Sequence, residues 1–231
     1  MDIDIVRPAG RRLTLFALTL LWSVSATAGC ARLPYTTKTV HSDSRVVTTV
    51  QREVKARSYT HPVQLTAVDI ASVLKGLSVR EQQRLPLRWF AEETPPKPVF
   101  RDDEIQALAP TLADAMKQLG TNERAHFELR APGMNPAASR DTLAGWMAVR
   151  ESYLYIGLEY FHVQIPAQSS DLYDQNYPTP PPPPRDYILY FEPGRFWVTD
   201  DQGQRAIDYR KFLASAEAGA SPSRPAAPVV P

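Results

Sequence analysis

The chemistry open to this sequence rests on a small set of side chains. Of its four histidines, His126 and His162 fall in strand-like stretches, with Glu128 and Glu159 close by in the chain. Imidazoles and carboxylates together are ligands for zinc or copper. Glu159 and His162 are three residues apart, however, and strand alternation sends residues at that spacing to opposite faces. His126 and His162 are the only candidates for a metal, and neither a metal nor another cofactor is assigned. The chain has no G-x-S-x-G, no H-E-x-x-H, no phosphate-binding P-loop and no dinucleotide-binding glycine pattern. The reading is therefore non-catalytic. Aromatic side chains are the most distinctive feature: Tyr153, Tyr155, Tyr160, Phe161, Tyr187, Tyr190, Phe191, Phe196 and Trp197 all come from the later strands. Tyrosine and tryptophan join a large apolar body to a polar tip, which suits protein interfaces and stacking on sugar rings. Tyr153, Tyr155, Phe161, Tyr190 and Trp197 are the expected interface or ligand residues.

One further group is reactive. Cys30 is the only cysteine, and it follows an apolar run directly. Arg7, Arg11 and Arg12 precede "LTLFALTLLWSVSA" at 13–26, and small residues follow. That order, basic then apolar then small, is the plan of a secretory signal peptide. The apolar run falls short of the roughly twenty residues that span a bilayer. With Ala26, Ala28, Gly29 and Cys30 at its end, the segment resembles the signal and lipobox of a bacterial lipoprotein. The resemblance covers residues 1–30 only. It implies cleavage between Gly29 and Cys30, a diacylglycerol on the Cys30 sulfur and an acyl chain such as palmitate on the new amino group. Each buried methylene contributes about 0.8 kcal/mol, and more than one chain is needed for stable attachment. Ala31, rather than an aspartate, implies the outer membrane facing the periplasm if the host is Gram-negative.

Cleavage before Cys30 takes three arginines and two aspartates from totals of 26 basic and 25 acidic residues, leaving 23 of each sign. A neutral mature chain is not a general binder of nucleic acid or anionic lipid. With Cys30 consumed there is no disulfide partner, and the hydrophobic core must hold the domain.

The elements that must position these residues follow from periodicity. Residues 30–44 are polar and lack a sustained period, so they read as the lipidated cysteine and a flexible tether. Residues 45–54 are strand-like, and "VQLT" (63–66) reads as a second short strand. A helix is predicted over 67–77, from Ile70, Val73, Leu74 and Leu77, with Thr66 and Asp69 as a capping box. Three prolines stiffen residues 92–98. A second helix is predicted over 102–120, with Pro110 kinking it and Gly120 closing it. Residues 123–130 alternate as a strand. Two longer runs around a turn at Glu151-Ser152 read as a hairpin, with Leu154, Ile156, Leu158 and Tyr160 on one face and Tyr153, Tyr155, Phe161 and Val163 on the other. Gly157 marks a bulge or a close approach. After a proline-rich loop at 167–186, residues 187–209 read as a hairpin turning at Glu192-Pro193-Gly194, with a further turn at Asp200–Gly203. The Ala/Pro/Ser-rich tail 214–231 is predicted to be disordered.

These elements predict one α+β domain at 45–213, an antiparallel sheet of about five or six strands with two helices packed on one face. The expected function is that of a membrane-anchored accessory or interaction module of an envelope complex, held by its N-terminal lipid and partnered by another envelope protein. The alternative is a periplasmic ligand- or glycan-binding lipoprotein that uses an aromatic sheet face.

Overall fold

A computed structural model describes residues 34–54, 58–81, 95–166 and 187–220 of the chain. The signal segment with Gly29 and Cys30, the proline-rich stretch 167–186 and the tail beyond 220 lie outside the described residues. In chain order the elements are β1 (Tyr35–Ser42), β2 (Val46–Arg52), α1 (Ala67–Lys75), β3 (Leu77–Glu81), β4 (Lys97–Pro98), α2 (Asp102–Met116), β5 (Glu123–Pro132), β6 (Ser139–Arg150), β7 (Tyr153–Pro166), β8 (Tyr187–Phe191), β9 (Trp197–Thr199), β10 (Arg205–Asp208) and α3 (Tyr209–Ala220). Seven antiparallel strands form the main sheet in the order β1-β2-β5-β6-β7-β10-β9. A smaller sheet has the order β4-β3-β8. The class is α+β, but among the described residues the expected single sheet of five or six strands is two sheets, and three helices stand where two were expected.

The helices form where local chemistry favours them. Thr66 Oγ1 accepts the Asp69 amide at 3.1 Å, and the Asp69 carboxylate accepts the Thr66 amide at 2.8 Å. This reciprocal cap starts α1. Ile70, Val73 and Leu74 are buried, and Leu77 opens β3 instead of ending the helix. In α2, Leu108, Leu112, Ala115 and Met116 have no exposed surface. Pro110 lies within the helix on its exposed side, where water can serve the carbonyl that loses its amide partner. Leu112, Leu108 and Ile105 pack on one face of the main sheet, against Val46 and Val50 of β2, Ala125, Phe127 and Leu129 of β5, and the inward residues of β6 and β7. Helix α1 packs on α2, and α3 reaches α1, β7 and β10. All three helices thus share one side of the main sheet.

Several expectations are corrected. Residues 35–42, read as tether, form the edge strand β1 on β2. No strand forms over 63–66. Residues 187–191 and 197–199 do not pair with each other: β8 joins β3 in the small sheet and β9 joins β10 in the main one. Residues 209–220, partly assigned to a disordered tail, are helix α3, with Phe212 edge-on to Phe191 and Phe196 at 5.0 and 5.6 Å. Helix α2 ends at Met116, before Gly120.

Candidate functional site

The side of the main sheet away from the helices carries the densest polar and aromatic network. β7 arrives there through an irregular register. Leu158 pairs with Gly145 but Tyr160 with Ala144, so Glu159 is an extra residue; a second slip falls between Tyr160 and Val163. Each inserted residue inverts the alternation. Tyr160 consequently joins the face of Tyr153 and Tyr155, and Phe161 turns to the core, the reverse of the sequence expectation.

The bulge delivers Glu159 to β5. Its carboxylate accepts Arg124 Nη2 at 3.1 Å and stands 3.0 Å from His126 Nε2. Arg124 also donates to Gln51 Oε1 at 3.0 and 3.2 Å, and its guanidinium lies over the Trp146 ring, 4.9 Å from the centroid. Burial raises the Glu159 pKa, but His126 and then Arg124 outweigh it and hold the group below the ordinary glutamate range. Trp146 in turn lies against Gly157, where any Cβ would come within 2.5 Å of the indole nitrogen. Gly157 is therefore the close approach that its place in the strand implied.

Farther along β7, the Tyr155 hydroxyl donates to Asp200 Oδ2 at 2.8 Å and accepts Arg150 Nη2 at 2.5 Å. Asp200 also accepts the amides of Gln202 and Gln204 at 2.9 and 2.7 Å, which closes the β9–β10 turn. Burial and the hydrogen bond to Asp200 push the Tyr155 pKa up to about 12. Tyr155 is thus a fastening for the turn, not an open contact.

The five aromatic residues expected at one site do not share it. Tyr153 is half-buried on the helix-free face, and Tyr155 is buried on it. Phe161 and Trp197 pack against the core on the other side. Tyr190 belongs to the small sheet, 5.4 Å beneath the Arg80 guanidinium. The two histidines are likewise apart: His126 meets Glu159, whereas His162 Nδ1 meets Asp141 at 2.9 Å. Among the described residues no group of three metal-ligating side chains comes together. Arg124 and Trp146 were not singled out from sequence, and Glu159 stood out only as a metal-ligating carboxylate near the histidines. Only the pairing of Trp146 with Gly157, and a bulge that periodicity does not show, reveal them.

No protein-family model matches this chain, and no curated protein or solved structure matches it either. Among the described residues no helix is long and apolar enough to cross a membrane.

Proposed function

We propose that this chain is an exported envelope lipoprotein, held at a membrane by lipid on Cys30, whose domain is a non-catalytic module that docks another envelope protein. The basic, apolar and small residues ending at Gly29-Cys30 support the anchor, and Ala31 favours the outer membrane in a Gram-negative host. The observation that carries the docking reading is the helix-free face of the main sheet. Its central residues Trp146, Tyr160, His126 and Glu159 are half-buried, with Tyr153 at its border beside Lys211 of α3. Tryptophan and tyrosine are enriched at protein interfaces, and Trp146, Tyr153 and Tyr160 supply them on this face.

The same geometry disfavours a sugar-stacking platform. Stacking needs an open ring, and Trp146 is engaged by Gly157 and Arg124 while Tyr155 is buried. A photo-crosslinking residue placed at Tyr160 in cells should trap one dominant protein. The same residue at Val68, 73% exposed on α1, should trap none. Recovery of the protein alone, or equal trapping from both positions, would remove the docking reading. For the anchor, blocking signal peptidase II should slow the chain in electrophoresis, and Cys30→Ala should abolish that effect; unchanged mobility in both would remove it.

A further inference from the structure

At the far end of the main sheet from Tyr35, the β1–β2 turn, the start of α2 and the β5–β6 hairpin enclose a cleft of about 710 Å³. Arg45, Arg101, Arg130 and Arg140 line it with Ser44, and Asp103 is its only lining carboxylate. The whole chain carries 26 basic and 25 acidic residues, so four cations around one hollow are a local concentration and not a reflection of composition.

The fold gathers them from distant parts of the sequence. The Arg130 amide donates to the Arg45 carbonyl at 2.7 Å, and Pro132 stands opposite Arg140 across the hairpin. Arg101 is the residue from which α2 starts, so the positive end of that helix also opens here. The cations are only partly satisfied. Arg45 pairs with Asp103, Arg130 donates through Nε to Glu128 at 2.7 Å, and Arg101 reaches Asp141 and Glu104 at 3.4 and 3.5 Å. Each guanidinium has five N–H donors. The outer two nitrogens of Arg130 and all of Arg140 have no protein partner among the described residues, and the Ser44 hydroxyl has none either. Planar guanidinium forks match the oxygens of phosphate two at a time. The volume suits a small organic ligand and far exceeds a single ion.

We infer that this cleft binds the phosphate group of a small anionic ligand, with Arg130 and Arg140 as the principal donors and Asp103 as the resident counter-charge that the phosphate displaces from Arg45. A soluble phosphate ester is favoured over a headgroup of the anchoring membrane. The chain enters β1 at Tyr35, and the cleft lies beyond the strand's other end, roughly 25 Å away at strand rise. Alternation puts Arg130 and Arg140 on the same face of β5 and β6 as His126 and Trp146, but at the hairpin end of the strands, four to six residues from the proposed docking centre, so a phosphate response and cross-linking at Tyr160 are read separately.

The purified protein in a neutral detergent, at about 0.15 M salt, would be titrated with pyrophosphate and with glycerol 3-phosphate while the arginine Nε–H signals are followed by NMR. Saturable shifts of the Arg45, Arg130 and Arg140 signals are expected. Arg140→Gln, at an exposed position without partners, should weaken binding about tenfold or more, the loss expected for a charge-assisted bond. Asp103→Asn should tighten it, an outcome that structural damage does not produce. Absence of saturable shifts with either probe, or equal affinity in both variants, would overturn the inference. Retention on phosphatidylglycerol vesicles that is lost in Arg140→Gln, without any response to the soluble probes, would overturn the preference for a soluble ester and assign the phosphate to a lipid headgroup.

Discussion

His61 shows how one buried side chain can set a property of the whole fold. It is 7% exposed, its Nε2 accepts the Val149 amide at 3.2 Å, and its buried Nδ1 has no partner. Burial outweighs the attraction of the Glu123 carboxylate for a second proton and lowers the pKa from 6.5 to about 4. Because the folded value lies below the unfolded one, the unfolded chain takes up the proton first. Stability is therefore full above about pH 6.5, declines as the pH falls from there, and reaches its floor near pH 4. The span corresponds to a loss on the order of 3 kcal/mol. In His61→Gln the amide oxygen can still accept from Val149 and nothing titrates. Urea unfolding at pH 7 and pH 4.5 should show a smaller difference between the two conditions for this variant than for the parent chain. An identical difference would mean that His61 does not carry the effect. Glu159, held below the glutamate range, adds its own loss only at more acid pH.

At the scale of elements, the irregular half of β7 decides what the main sheet presents. The extra residue at Glu159 follows Gly157 by two positions, and Gly157, which pairs with Trp146, lies diagonally across the ladder from Gly145, which pairs with Leu158. A Cβ on Gly145 would lie 2.4 Å from the Gly157 carbonyl oxygen and 2.9 Å from Phe127. The first obstacle is backbone inside a paired sheet, so it cannot swing aside as a side chain would. Gly145→Ala should cost about 1–3 kcal/mol or more, read as a lower denaturant midpoint. A midpoint within 0.5 kcal/mol of the parent, the ordinary range of surface changes, would show that the strands separate there freely. What was legible in the sequence divides along the same line. Helix α1 with its cap, the buried stripe of α2, and the alternation of β5 were readable because their signals lie within a few residues. The bulge was not, because an inserted residue leaves the composition of a strand unchanged and is defined only by the partner strand. The separation of β8 from β9 was missed for a related reason: the turn chemistry at Pro193-Gly194 reads the same whether the chain returns to one sheet or crosses to another. Helix α3 was hidden by alanine-rich surroundings, although Tyr209, Phe212 and Leu213 stand at helical spacing and pack against the core.

For the molecule as a whole, the decisive revision is β1, which turns most of the supposed tether into part of the domain. Its sequence offers little alternation because an edge strand lies largely in water, and of its residues only Val40 packs against the core. Its β-branched threonines were the surviving signal. The strand nevertheless covers the outer edge of β2, with six paired positions from Tyr35–Arg52 to Ser42–Val47, and Lys38 reaches Gln118 beyond α2 at 2.5 Å. What remains between Cys30 and the domain is Ala31, Arg32, Leu33 and Pro34. A chain starting at Pro34 should therefore fold with full stability, whereas one starting at Ser44 should lose it. Without β1 the ladder groups of β2, a strand whose central residues are buried, open to water and to other chains as an uncovered edge. With several backbone hydrogen bonds gone at about 0.5–1.5 kcal/mol each, the shorter chain should be destabilised by several kcal/mol or aggregate. Thermal and denaturant unfolding of the two fragments measure this directly. Equal midpoints would return residues 35–42 to the role of a linker. A large drop makes β1, which begins five residues after Cys30, a strand on which the fold depends, so that a lipid on Cys30, as proposed, would be joined to the sheet by residues 31–34 alone.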